Sequence, residues 1–431
     1  MELNQKTTKR AIGLVFFIML MDIVGMSILF PVAPYIVQRY SSSALMVTML
    51  TVIYAAAQFF AAPTLGKISD RVGRRPVLLI SVFGSAIGYF IFGIGGALWI
   101  LFLSRFIDGI TGGNISTAMA YIADVSSPED RPKNFVLVGM AYGLGFILGP
   151  ALGGALGQIS LNAPVYAAGL ISLISVILIY FMLPESLTKE RRELKPLRAV
   201  DFNPLASIGS MLRRPGLGPI LIVFALFNLA FDGINSTAGV FVSRKFLTQP
   251  WHLGLLFVMS GIALAMMQAA FTPRLVKKFG EKRVLLAGLI GNAAGGLMIF
   301  SAPVLWLLFP IYFLSSSFTG FIWSPISTLV ANQVSEREQG QLAGVNAALG
   351  GLMAALGPLW GGFAYDHILP GSPYLISAVI IALACVLLVQ FKVKAKTASS
   401  FSQPSPAPRR EGGAGRGRVV VIIDKIYLFD I

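Results

Sequence analysis

Twelve long apolar runs leave this chain few folds to choose from. They occupy residues 11–37, 44–65, 77–97, 98–123, 135–158, 163–183, 218–242, 253–271, 284–301, 305–331, 342–365 and 374–391. A helix of roughly 20 apolar residues crosses the hydrocarbon layer of a bilayer. Lipid offers no partner to a backbone amide, so a spanning segment must close its hydrogen bonds within itself, as a helix does. The expected fold is therefore an all-α membrane protein of about twelve transmembrane helices. Composition agrees: 55% of residues are hydrophobic and only 12% charged, about half the charged share of a soluble domain (~25%). The first run resembles the core of a signal peptide, but it is longer and carries Asp22, so it is expected to be retained.

Six runs lie on each side of a polar, basic stretch without a spanning run. This gives an N-terminal bundle (1–183), a linker (184–215), a C-terminal bundle (216–391) and a tail (392–431) rich in Ser, Pro, Gly and Arg, expected to be disordered. The final stretch, 419–431, is apolar again but too short to span. The two halves repeat. Gly149-Pro150 and Gly153-Gly154 in the fifth run return as Gly357-Pro358 and Gly361-Gly362 in the eleventh, a shift of 208. The basic turn Gly66-Lys-Ile-Ser-Asp-Arg-Val-Gly-Arg-Arg-Pro76 has a weaker copy at 273–283, where Gly280 matches Gly73. Two halves of the same orientation are a known transporter architecture.

Cations set the expected orientation. With the N-terminus in the cytoplasm, cytoplasmic segments up to Lys396 hold 25 of the 34 Lys and Arg, and the outer loops hold only Arg39, Arg244 and Lys245. Positive loops stay inside, so both termini are expected there. The net charge of +15 invites a nucleic-acid partner, but these cations sit between apolar runs and not on one polar face, which excludes that reading. The single cysteine, Cys385, rules out an intrachain disulfide framework.

Ionisable residues at bilayer depth cost at least ~2.5–3.5 kcal/mol each on insertion scales and so mark function by default. Asp22 lies eleven residues into the first run, about 16 Å along a helix and near the midplane. Asp232 occupies the middle of the seventh run, with Asn228 and Asn235 on the same helical face. Arg105 and Asp108 stand one turn apart in the fourth run, and Asn114 follows two turns later. Asp22, Arg105, Asp108 and Asp232 are the candidates for proton coupling. Asn114, Asn228, Asn235 and Asn292 are those for substrate contact. The bland alternative makes each a hydrogen-bonded packing residue. The stripe Gly145, Gly149, Gly153 and Gly157 bares one helix face, either for a sliding contact between the halves or for ordinary close packing. Asp124 is placed to pair with Arg74 or Arg75, and Asp70 to sit at a helix N-terminus, where an anion is favoured. Together with Gly66, Arg71 and Gly73 they form a candidate conformational latch.

No HExxH, P-loop or GxSxG motif is present, so neither an enzyme nor an ATP-driven pump is expected, and no cofactor or metal is implied. The partners expected are a small molecule, protons and lipid. Export against protons, uniport or symport of a metabolite, and a non-transporting receptor or scaffold all remain open on the residues alone.

These residues also carry a resemblance. Gly66–Pro76 resembles the signature loop of the major facilitator superfamily, and Arg105-Phe-Ile-Asp-Gly109 its fourth-helix motif. Gly145-Phe-Ile-Leu-Gly-Pro-Ala-Leu-Gly-Gly154 is similar to the fifth-helix motif of its drug–proton antiporters, and Asp22 with Gly25, Pro31 and Pro34 to their first-helix motif. Tyr121-Ile-Ala-Asp124, Leu183-Pro-Glu-Ser186, Asn203-Pro-Leu-Ala-Ser207 and Gly340-Gln-Leu342 resemble the tetracycline-exporter-like branch. The resemblance implies a monomeric, proton-coupled exporter of the bacterial inner membrane working by alternating access. It assigns Asp70, Arg71, Gly73 and Arg74 to the latch, Arg105 to proton coupling, and Gly149-Pro150 to the antiporter helix. Where that branch carries acids in the third and ninth helices, this chain has Gly88 and Asn292.

Overall fold

The computed structural model describes residues 5–127, 129–188, 190, 192, 204–214, 216–335 and 338–390; the tail from 392 onward lies outside them. The first six apolar runs form α1 (Gln5–Ser27) with the short α2 (Ala33–Val37), α3 (Ala44–Val72), α4 (Arg74–Ile94), α5 (Leu98–Ile110) with α6 (Asn114–Val125), α7 (Arg131–Leu156) and α8 (Ala163–Met182). The linker contributes α9 (Pro204–Leu212). The second six form α10 (Gly218–Phe246), α11 (Pro250–Met266) with a π-helical turn (Met267–Phe271) and α12 (Thr272–Phe279), α13 (Glu281–Ser301), α14 (Leu305–Gly320) with α15 (Trp323–Ala331), α16 (Gln339–His367) and α17 (Ser372–Gln390).

Eleven helical segments among the described residues are long and apolar enough to cross a membrane. The fourth run, expected as one helix, is the exception. It breaks between α5 and α6 at Thr111–Gly113, where Gln58 of α3 donates to the Gly112 carbonyl at 3.2 Å. A side chain at Gly113 would run into Leu65 of α3, so glycine lets the broken backbone lie against its neighbour. The tenth run turns at 321–322, between α14 and α15. Gly112 and Gly320 stand 208 positions apart, so the repeat extends to backbone irregularities that no motif marked. The two matched turns agree as well: Gly73 (φ +113°) joins α3 to α4, and Gly280 (φ +81°) joins α12 to α13. Both glycines occupy backbone space that other residues enter only under strain.

Three apolar clusters hold the helices. One lies within the first half around Val15, Ile23, Leu78, Tyr121 and Ile179, and a second within the other half around Leu221, Phe227, Leu285, Ile326 and Leu349. The third draws on both halves, with Ile28, Val32, Val47 and Phe92 packed with Phe241, Leu253, Leu308 and Tyr374. Its members fall at the end of the bundle opposite the 66–76 loop, so that end is closed. At the loop end the helices part: a side chain added at Gly139 or Gly143 of α7, or at Gly340, Gly344 or Gly350 of α16, would meet nothing within 4 Å. Large apolar residues such as Ile94, Phe181 and Val379 point outward, 70% or more exposed, as lipid-facing side chains do.

Candidate functional site

Asp22, Arg105 and Asp108 of the first half gather around the break between α5 and α6. Arg105 Nη1 donates to Asp108 Oδ2 at 3.0 Å, with both side chains buried. The guanidinium lies 5.0 Å from the Tyr89 ring and 5.1 Å from the Phe92 ring, a partly desolvated cation–π setting. Just past the break, Asn114 opens α6, and its Nδ2 donates to Asp22 Oδ1 of α1 at 2.7 Å. Asp22 keeps part of its surface accessible. Two buried polar atoms, Arg105 Nη2 and Asn114 Oδ1, have no partner among the described residues; such orphans are rare and call for an explanation. Gly88 packs directly on Asp108: a Cβ built there would lie 3.2 Å from the Asp108 Cβ and 3.0 Å from the Ser104 carbonyl. The bare position on α4 is what admits the carboxylate of α5.

The second half differs. Asp232 on α10 is half-buried beside Gly357 of α16, and makes no hydrogen bond or ion pair among the described residues. Its expected companions do not join it. Asn228 is buried and gives its amide to the Phe224 carbonyl of its own helix at 2.7 Å, while Asn235 is exposed. Sharing a helical face was not enough, because a buried amide one turn away finds the nearest carbonyl first. Asn292 is also satisfied, donating to Thr319 Oγ1 at 2.8 Å between α13 and α14.

The glycine stripe divides between its two readings. Gly145, Gly149 and Gly153 face α1 of their own half: added side chains would strike Ile23, Ser27 and the Ile28 carbonyl. Ser27 Oγ uses that closeness to donate to the Gly145 carbonyl at 2.9 Å. Gly154, on the next face, meets the other half against Trp251 and Gly254 of α11, and Gly157, last of the stripe, meets Pro250. Pro150 lies between Gly149 and Gly153, inside α7. The repeat holds, since Gly357 and Gly361 face Asp232 and Gly233 of α10, whereas Gly362 meets Leu45 and Thr48 of α3. Contact between halves therefore falls to Gly154 and to Gly157 at the end of the stripe, and in α16 to Gly351 and Gly362, while Gly145, Gly149 and Gly153 pack within their own half.

The basic turn corrects another. Asp70 does not sit at a helix N-terminus; it lies in the last turn of α3 and pairs with Arg74 at 2.5 Å. Arg74 also donates to Asp124 at 3.0 Å and to Ser69 Oγ at 2.6 Å. The anion at the start of α4 is Glu185, which accepts from the backbone amides of Arg74 (2.8 Å) and Arg75 (3.2 Å). A Cβ at Gly73 would fall on that carboxylate. Gly66 has open space around it, and its carbonyl accepts from Ser69 Oγ at 2.6 Å; Arg71 stands outside the cluster. Sequence reading missed the role of Glu185, because a single acid after the sixth run gives no local sign of which helix end it will reach.

Aromatic rings cross the boundary between the halves where they close. Phe30 lies 5.9 Å from Phe146 of α7 and 6.2 Å from Phe257 of α11, and Tyr142 stacks on Phe146 at 6.4 Å. Near Asp232, Phe227 and Phe231 pack on Trp323 of α15. On the linker side, Arg214 holds Glu338 at 2.7 Å ahead of α16. That hydrogen bond, with those from Ser335, pulls the Glu338 carboxyl down to about 2.

Comparison with known proteins agrees with this architecture. The family model of the Major Facilitator Superfamily matches residues 15–271 and 242–426. The tetracycline resistance protein, class C, of Escherichia coli is 37% identical over 343 residues, covering 79% of this chain and 85% of that protein. Multidrug resistance protein 2 of Bacillus subtilis is 26% identical, covering 82% and 89%. Among solved structures, the human organic anion transporter MFSD10 superposes with a TM-score of 0.68 at 25% identity, covering 88% of this chain and 99% of that one. An inward-facing, occupied bacterial homologue of the lysosomal transporter Spinster superposes at 0.72 and 14% identity, covering 90% and 97%, a likeness of fold alone.

Proposed function

Since the chain belongs to the major facilitator superfamily and is a multi-pass secondary transporter of small molecules, we propose that it exports an amphipathic organic compound in exchange for protons by alternating access. One observation carries the proposal: four polar side chains, Asp22, Asn114, Arg105 and Asp108, are drawn from α1, α5 and α6 to a break at membrane depth. Hydrocarbon would expel such groups unless they work in a shielded, intermittently wet place. Relatives named for tetracycline and multidrug resistance support the substrate class. The aromatic residues between the halves suit a flat apolar body.

The chemistry follows from the partners. Ionised Asp22 accepts the Asn114 amide proton. A proton on Asp22 cancels the charge that makes this bond strong, so α1 and α6 are held less firmly. Arg105 holds the Asp108 carboxylate by a direct bond, and the orphan Nη2 and Oδ1 atoms are free to take a partner in another state. Asp232, on the facing half and without a fixed partner, is the second carboxylate, open to a proton or to a basic group on the substrate. By the distribution of cations, the 66–76 loop and both termini face the cytoplasm, in the inner membrane of a bacterial cell. The open end then faces the cytoplasm, where an exporter loads. The two six-helix bundles rock about the closed-end contacts, and the protein acts as a monomer. The driving force is about 2.3 kcal/mol per charge per 100 mV.

Inverted membrane vesicles test this. Energised vesicles should accumulate tetracycline or a fluorescent amphipathic dye, and collapse of the pH gradient should release it. Asp22→Asn should abolish uphill accumulation while leaving the protein folded. Flux indifferent to the gradient would instead make it a uniporter.

A further inference from the structure

The closed end is held by a contact that the coupling chemistry does not use. Asp366, in the last turn of α16, reaches across to the first turn of α3 in the other half. Its Oδ1 accepts from the Ala44 amide at 2.9 Å, and its Oδ2 from the Leu45 amide at 2.9 Å and from Ser43 Oγ at 2.5 Å. Beside it, Arg244 of α10 donates to the Ser42 carbonyl at 2.6 Å, with its guanidinium 5.5 Å from the Tyr365 ring. Tyr35 donates to the Thr248 carbonyl at 2.9 Å. Residues 42–45 are thus clasped by two helices of the opposite half.

We propose that Asp366 is the latch of the closed end, and that it sets how long the transporter dwells with that end shut. The physical reason is a mismatch in where the charge sits. A carboxylate is unfavourable at the C-terminal end of its own helix and favourable at the N-terminus of another. Asp366 occupies the first position by sequence and the second only through the tertiary contact. If the halves part at this end, it loses three charge-assisted hydrogen bonds and keeps the unfavourable dipole. The first amides of α3 lose their cap at the same moment. Among the described residues, no equivalent contact bridges the halves at the loop end. There Asp70 is paired with Arg74 within the first half, and Glu338 with Arg214 within the second. The latch therefore acts in one state and is absent from the other.

The latch rests on alternating access, so the experiment must separate the two. In a Cys385→Ser background, spin labels at Ile159 and Leu247, both exposed and outside the clasp, report the closed end. Labels at Val136 and Gln341 report the loop end. Distance distributions are measured by pulsed electron resonance on the full chain in lipid nanodiscs. The wild type should show a main closed-end population and a minor open one, with the loop-end pair changing in the opposite sense. Asp366→Ala should shift the closed-to-open ratio about tenfold toward open, the range expected for losing a charged helix cap. Asp366→Asn, which keeps shape and an acceptor oxygen, should shift it less, and it serves as the variant if the alanine form is not monodisperse. Two wild-type populations whose ratio neither variant moves would overturn the latch alone. One fixed distance at both ends, in wild type and variants, would overturn the latch and alternating access together.

Discussion

Arg105 and Asp108 show what a single pair can decide. Each is buried, and each is tolerable only because the other is there. Removing one partner strands a charge and costs about 3–5 kcal/mol, whereas replacing both with apolar residues of similar volume is often neutral. We therefore expect Asp108→Leu to lower thermal stability sharply, and the double variant with Arg105→Met to recover most of it. Proton-coupled transport should stay lost in both. Thermal unfolding in detergent, run beside vesicle transport, reads the two effects separately. If the double variant also regains coupling, the pair only supports the fold. At this scale the sequence marked the candidate residues but not whom they meet. The spacing of Arg105 and Asp108 was local, so their pairing could be read in advance. The 92-residue gap between Asp22 and Asn114 could not be bridged from sequence, and neither could the reach of Glu185 to the head of α4.

At the scale of elements, the glycines sort by what they face. Gly361 lies so close to the Gly233 backbone that an added Cβ would stand 2.6 Å from its carbonyl oxygen, while Gly139 at the open end faces empty space. Gly361→Ala should cost about 1–3 kcal/mol, because two helix backbones must separate. Gly139→Ala should be neutral or slightly stabilising, since alanine favours a helix over glycine by roughly 1 kcal/mol. Melting temperatures of the two purified variants decide it; equal losses would mean that backbone approach is not what the stripe supplies. The periodic glycines were visible in the sequence. Their partner was not, because period four fixes which face is bare and says nothing about which helix comes to it. The break between α5 and α6 was hidden for a related reason. Its residues are apolar or small, so hydropathy runs straight through it, and only the approach of α3 shows why the backbone turns aside.

For the whole molecule, the basic turn and the closed end give opposite surfaces. Val72→Cys, beside the turn, should react with a membrane-impermeant maleimide only from the cytoplasmic side, and Leu247→Cys only from outside. Labelling of intact cells against inverted vesicles measures this directly. Reversed labelling would turn the topology over and make the present conformation open to the outside. The sealed end is built from residues of both halves, Val32 and Phe92 with Leu253 and Tyr374 among them. The loop end has no such shared core among the described residues, and this asymmetry is what the proposed alternating access would reverse.

By itself the sequence determined the solvent, the number of apolar runs, their internal duplication and the family. These follow from quantities summed along the chain: apolar length against bilayer thickness, cations per loop, and offsets that repeat. Only the tertiary structure decided which end is shut, that Asp366 reaches the head of α3 there, that Gly145, Gly149 and Gly153 of α7 pack on their own half, and that Asn228 and Asn235 leave Asp232 alone. Those outcomes turn on distances of a few ångströms between residues far apart in the chain. In a chain this apolar, nearly every helix has several faces that could bury equally well, and the choice among them is made only when all of them pack at once.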